Sequence, residues 1–233
     1  MAGPVALVGS GEYTPAMLTV EAELIAGRPP RYVQIPTAAG REGEERLRYW
    51  VELGQAQARR LGVEPVPLVV TTREQADDPA VAGQVEGAGL VYLSGGDPGF
   101  LADTLRGTAL WRAIVAAWEG GAALAGCSAG AMAFAAAVPS LRLPGRAPTT
   151  GLGLLPHLQV LPHFDRMLGW VPDLLTRPLL RPRDGVALVG VDEDTALVGG
   201  AEEFTVQGRQ SAWLLGDGPR REYPAGSTLV LPA

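Results

Sequence analysis

The chain has 233 residues, 47% of them hydrophobic, which suits one α/β domain with a substantial core and is too apolar for a disordered chain. Basic residues number 19 and acidic residues 25, and the resulting charge of −6 argues against a phosphate-binding face for nucleic acid and against a patch for anionic membranes. Every basic residue is arginine, so Schiff-base chemistry, Ser–Lys dyads and the Walker phosphate loop are excluded; the single cysteine, Cys127, excludes an internal disulfide and a multi-cysteine zinc site.

In chain order, Val5-Ala6-Leu7-Val8 reads as a buried strand that meets the tight loop Gly9-Ser10-Gly11-Glu12. Thr14-Pro15 then opens a helix over residues 15–26. A second strand, 32–35, stops at Pro36, and residues 41–61 form an amphipathic helix with Leu47, Trp50, Val51, Gly54 and Ala58 on one face. Strands follow at 66–70 and 90–93, with a short helix started by Asp77-Asp78-Pro79 between them. Ser94-Gly95-Gly96-Asp97 comes directly after the strand at 90–93, a helix spans 108–119, a fifth strand spans 122–127, and a helix of small residues spans 129–137. Residues 139–157 read as an irregular loop, and 158–161 and 186–191 as further strands. After Thr195 short β segments with glycine turns (196–198, 204–206, 212–215 and 228–230) suggest an antiparallel edge. The alternation of strand and helix predicts a mostly parallel central sheet covered on both faces, in a single domain over 1–233 with a C-terminal β extension from about 195. The N-terminus lacks a basic signal-peptide region, and the uncharged run 121–138 is better read as strand and helix than as a membrane span; a cytoplasmic protein is expected.

In such a sheet ligands bind beyond the carboxyl ends of the strands, where the loops 9–12, 94–97 and 126–130 fall. Gly126-Cys127-Ser128-Ala129-Gly130 has the form of a nucleophile elbow, placed between an apolar strand and a helix as that motif requires. The glycines let strand and helix approach closely, and Ser128 falls at the helix N-terminus, where the Ala129 amide can donate to a developing oxyanion. Gly95-Gly96 is the natural source of a second donor. With no lysine, the base for Ser128 must be His157 or His163, and His163 is the choice because it follows a strand. Two acids can orient it: Glu193, directly after an apolar strand, and Asp165, two residues beyond the histidine. A metal site using both histidines is weakly supported, because no H-x-H or H-x-x-x-H spacing is present.

On these residues the sequence resembles the serine-peptidase family of dipeptidase E (an aspartyl dipeptidase) and cyanophycinase. The resemblance rests on Gly9-Ser10-Gly11-Glu12, Ile35-Pro36-Thr37-Ala38, Leu93-Ser94-Gly95-Gly96-Asp97, Ala125-Gly126-Cys127-Ser128-Ala129-Gly130-Ala131-Met132, His163-Phe164 and Val191-Asp192-Glu193-Asp194-Thr195-Ala196-Leu197. It implies a three-layer sandwich like that of class I glutamine amidotransferases, with Ser128 as nucleophile, His163 as base and Glu193 as third member. It also implies an oxyanion hole from Gly96 and Ala129, with Asp97 near the substrate, and no cofactor or metal. The chain departs from the cyanophycinase pattern at Pro162, where that pattern has glutamine; of the arginines, Arg166 follows closely and joins the substrate-binding set, while Arg177, Arg181 and Arg183 come later. The expected activity is hydrolysis of dipeptides, short peptides or isopeptides through an acyl-enzyme, with a small peptide as partner and room for a homodimer. Two other readings remain: an amidotransferase-like enzyme using Cys127, and a non-catalytic protein that binds a small ligand in the same pocket.

Overall fold

The computed structural model describes residues 1–138, 149–167, 185–200, 202–216 and 218–231. In chain order its first half reads β1 (Val5–Val8), α1 (Pro15–Ile25), β2 (Arg31–Ile35), α2 (Glu44–Arg60), β3 (Glu64–Pro67), α3 (Arg73–Ala76), α4 (Pro79–Ala82), β4 (Leu90–Leu93), α5 (Pro98–Leu105), α6 (Ala109–Glu119) and β5 (Ala123–Cys127). The second half reads α7 (Ala129–Ala133), β6 (Ala137–Val138), β7 (Thr149–Thr150), β8 (Leu158–Leu161), α8 (Phe164–Met167), β9 (Ala187–Val191), β10 (Thr195–Gly199), β11 (Glu203–Gly208), β12 (Ser211–Leu215), β13 (Arg221–Pro224) and β14 (Thr228–Val230).

The main sheet has the order β14-β11-β10-β1-β5-β4-β2-β3. Its five strands from β1 to β3 are parallel, and β10, β11 and β14 extend it antiparallel beyond β1. Alternate side chains of these short strands enter two cores. Ala6, Val8, Leu90, Tyr92, Ala123, Ala125 and Cys127 pack under α1 and α2 with Met17, Val20, Leu24 and Ala58. Val5, Leu7, Val91, Leu93 and Leu124 pack on the other face with Leu101 of α5, Ile114 of α6 and Ala131 of α7. Helices on both faces of a mostly parallel sheet make the expected three-layer α/β architecture, and β1, β5 and β4 are neighbours, so their carboxyl-end loops lie side by side.

The remaining strands correct the expectation of one antiparallel edge. A second sheet, β13-β12-β9-β8, packs on the α7 side, with Val160, Val189, Val191 and Ala212 in the same core as Leu7 and Leu197. The C-terminal segments are therefore divided: β10, β11 and β14 join the first sheet, β12 and β13 the second. Within the second sheet β8 and β9 are parallel, so the chain leaves both at the same end.

Other differences have local causes. β3 lies at 64–67 rather than 66–70 and contains Pro65 and Pro67; it is an edge strand, where a missing N–H costs no ladder bond. α5 was not expected, although Asp97 caps it through a hydrogen bond from the Phe100 amide to Oδ1 (2.9 Å) and Pro98 takes its first turn. α7 ends at Ala133 rather than 137, because the chain turns into β6, which pairs with β7 inside the segment expected to be irregular. Among the described residues no helix is long and apolar enough to cross a membrane.

Candidate active site

β5 carries Ser128 to the carboxyl edge of the main sheet, and the backbone there turns abruptly. Ser128 takes φ 48° and ψ −104°, its amide donates to Val8 O (2.9 Å), and α7 starts at the next residue. The turn is possible only with glycine on either side. A Cβ on Gly126 would meet the Gly130 carbonyl carbon at 2.5 Å, and one on Gly130 would meet Leu93 O at 2.3 Å.

β8 and β9 bring the other two groups. His163 follows β8 and Glu193 follows β9, and because the two strands are parallel both residues emerge at one end. The Ser128 Oγ lies 3.1 Å from His163 Nε2, and His163 Nδ1 lies 3.0 Å from Glu193 Oε1. A carboxylate only accepts, so the relay assigns the imidazole proton to Nδ1, donating to Glu193, and leaves Nε2 to accept from the Ser128 hydroxyl. His157 ends up elsewhere: it precedes the four-residue β8, and so sits about 13 Å along the chain from the end that bears His163.

Asp165 does not reach the histidine ring within hydrogen-bond distance. Its Oδ1 accepts from the Glu193 amide (3.0 Å) and its Oδ2 from Gln210 Nε2 (3.3 Å), which in turn donates to Glu193 O (2.9 Å). Asp165 thus braces the backbone of Glu193. Arg166, three-quarters exposed, donates through Nε to Glu193 Oε2 at 3.2 Å. The two oxygens of Glu193 are therefore divided between His163 and Arg166. An open polar depression of about 410 Å³ adjoins this pair, lined by Asp165, Arg166, Glu193, Asp194, Arg209 and Gln210.

Four non-glycine residues among those described have positive φ: Tyr13 (65°), Ser128 (48°), His163 (51°) and Asp194 (52°). Two belong to the relay, Asp194 follows Glu193, and Tyr13 follows the loop at the end of β1. Each conformation costs about 1–2 kcal/mol, and such residues concentrate where side-chain direction matters more than local comfort. Phe164 fixes the ring side of the turn: it is buried, its ring would lie 2.6 Å from a Cβ on Gly190, and it packs on Trp213 with centroids 5.7 Å apart. Asp192, whose carboxyl pKa is raised by burial, accepts from the Ser211 amide (3.2 Å) and Trp213 Nε1 (3.0 Å) and secures the far side of the Glu193 turn.

Gly96 (φ 138°) lies against Ala38, whose carbonyl carbon would be 2.4 Å from a Cβ at that position. Asp97 serves as the N-cap of α5, with its amide on Ala38 O (2.8 Å). Among the described residues no hydrogen bond engages the amides of Gly96 or Ala129. Cys127 is fully buried in the core under α1, donates to Glu12 Oε2 (2.8 Å), and has its thiol pKa pushed well up, first by burial and then by the Glu12 charge. The sequence pattern assigns Glu12 no role; the structure buries it beside Ser128's strand, and a lone acid in a glycine loop behind an apolar strand is the signal available for it. Arg177, Arg181 and Arg183 lie outside the described residues. No group of three or more metal-ligating side chains capable of holding an ion occurs among the described residues.

The family model of peptidase family S51 matches residues 5–206. Cyanophycinases of Trichormus variabilis and Nostoc sp. are each 31% identical over 188 residues, covering 74% of this chain, while the chain spans only 59% of their length. A crystal structure of a peptidase from an acI-B1 Actinobacterium superimposes with a TM-score of 0.89 at 43% identity, covering 99% of this chain and 98% of that one. A putative peptidase E protein from Listeria monocytogenes EGD-e shares the fold, with a TM-score of 0.59 at 14% identity over 96% of this chain and 99% of its own.

Proposed function

The chain belongs to peptidase family S51, and from that premise we propose that it hydrolyses short peptides or isopeptide-like amides by serine catalysis, with Ser128 as nucleophile, His163 as base and Glu193 as orienting acid. The observation that carries the reading is the unbroken relay from Ser128 Oγ through the imidazole to Glu193, with contacts of 3.1 and 3.0 Å.

In the first half-reaction Ser128 Oγ attacks the scissile carbonyl carbon while His163 Nε2 takes the hydroxyl proton. The carbonyl oxygen becomes an oxyanion, which the amides of Gly96 and Ala129 receive; both lack another hydrogen bond among the described residues. Collapse breaks the C–N bond, and the imidazolium returns its proton to the departing amine. In the second half-reaction water attacks the acyl-enzyme ester while His163 takes its proton; collapse breaks the ester C–O bond, and the imidazolium returns that proton to Ser128 Oγ as the carboxylic acid leaves. Glu193 holds the ring in the required tautomer and offsets the imidazolium charge. Asp97, next to Gly96, and Arg166, on Glu193, flank the trio and are assigned to the parts of the substrate beyond the scissile bond. Cys127 takes no part, since its thiol is buried and held protonated.

The test is a panel of dipeptides, led by Asp-X and including β-aspartyl isopeptides, assayed by amine release with wild type and Ser128→Ala. Turnover by the wild type alone supports the reading. Equal turnover by both proteins, or by neither, counts against it.

A further inference from the structure

Glu12 is a buried ionisable group near Ser128 that the hydrolytic cycle does not use. Only 9% of it is exposed, and the residues on either side, Gly11 (φ 84°) and Tyr13 (φ 65°), are both left-handed, which turns the side chain inward. Burying a carboxylate is costly unless donors replace its water. Here each oxygen has one donor: Oε1 accepts from the Gly95 amide (3.0 Å) and Oε2 from the Cys127 thiol (2.8 Å). Those donors belong to the two segments whose separation matters most, the glycine loop and the residue before the nucleophile. The segments are close, since a Cβ on Gly95 would lie 2.7 Å from Glu12 Oε1 and 3.6 Å from the Ser128 Cβ.

The loop is tied on both sides of Gly96. The Gly95 amide is held by Glu12, the Asp97 amide by Ala38 O (2.8 Å), and the Gly96 amide between them has no hydrogen bond among the described residues. We infer that Glu12 is a positioning residue that clamps the Gly95–Gly96 loop to the nucleophile strand, so that the intervening Gly96 N–H is left aimed at the oxyanion. This inference rests on the serine-hydrolase reading of Ser128. It requires acceptor oxygens rather than a proton relay, and glutamine keeps one of them.

The experiment compares wild type, Glu12→Gln and the size-matched Glu12→Met, which has no acceptor oxygen, by the rate at which a fluorophosphonate modifies Ser128 and by thermal midpoint. Glu12→Met is expected to react about 10²-fold more slowly, the cost of a misplaced oxyanion donor. Glu12→Gln is expected to stay within about fivefold of wild type, the scale of one neutral hydrogen bond. On any hydrolysed peptide the loss should fall on kcat rather than KM. A readout needing no variant is the amide spectrum of the wild-type adduct: the Gly96 resonance should move on phosphonylation and the Gly95 resonance should stay. Equal reactivity of Glu12→Met and wild type, or movement of Gly95 with Gly96 unchanged, overturns the clamp and leaves the hydrolase reading standing. A wild type inert at Ser128 overturns both.

Discussion

The proposed nucleophile and its proposed base stand on different sheets. Ser128 ends a strand of the main sheet, on a turn compressed between Gly126, Gly130 and Leu93. His163 and Glu193 end parallel strands of the smaller sheet, on turns secured by Phe164, Asp165 and Asp192. The 3.1 Å contact between Ser128 and His163 therefore depends on how the two sheets are docked. The docking runs along Gly9 and Ser10: Gly9 O accepts from the His163 amide (3.3 Å), and Ser10 O accepts from the amide of Asp194, the residue after Glu193 (3.2 Å). On the proposed mechanism, Ser128 and His163 can thus be separated from a seam that contains none of the three relay residues.

The largest effects should come from the two sides of the relay themselves. Ser128→Ala and His163→Ala should each lower kcat by about 10⁶-fold, and the double variant should be scarcely worse than either, because the pair acts as a unit. Additive losses measured on the double variant would break that unity. Within the smaller sheet, Glu193→Gln should cost about 10⁴-fold in kcat, the scale of losing the orienting acid. Asp165→Asn, which weakens only the brace behind Glu193, should cost about tenfold, roughly one hydrogen bond's worth. Steady-state assays giving the reverse order would make Asp165 the third member.

The seam is tested by Gly9→Ala. Its Cβ would lie 2.1 Å from Asp192 O and 2.5 Å from Val191 O, backbone atoms that cannot swing away. The wedge should cost about 1–3 kcal/mol of stability. It should also lower kcat by about 10²-fold, as expected when reacting groups separate by about 1 Å. Full activity in a folded variant would show that the sheets can slide without consequence.

The last expected effect concerns stability rather than activity, on the back face of the main sheet. Glu21 on α1 is buried, accepts from Tyr32 Oη (2.8 Å) and Gln57 Nε2 (3.2 Å), and has its pKa pushed up from 4.5 to about 7, chiefly by burial. A raised carboxyl pKa means that the folded protein holds the proton more tightly. The stabilisation is present below about pH 4.5 and is lost as the pH rises through about 7, up to about 3 kcal/mol in all. Relative to wild type, Glu21→Gln should therefore gain stability between pH 4.5 and 8 in denaturant melts. A pH-independent difference would contradict the assignment.

The main sheet and Ser128's setting were legible because local patterns encode them: apolar tetrads for strands, and G-x-S-x-G at a strand–helix junction. The absence of lysine leaves two histidines as candidate bases, and the position of His163 just past an apolar strand singles it out. The second sheet was not, since β8, β9 and β12 carry apolar runs indistinguishable from main-sheet strands, and pairing partners distant in sequence leave no local mark. The choice between Asp165 and Glu193 depended on that same pairing. For α5 the start signal Asp97-Pro98 is present in the sequence, but the helix is only eight residues long and lies directly behind the Gly95-Gly96 loop, so it offers little periodicity to read.

The central claim, an activated Ser128, is tested most directly by intact-mass spectrometry after treatment with a fluorophosphonate, followed by peptide mapping of wild type, Ser128→Ala and His163→Ala. The account predicts one adduct on Ser128 of the wild type, absent from Ser128→Ala and lost or greatly slowed in His163→Ala. A folded wild type that forms no adduct, or one modified at another residue, would contradict it.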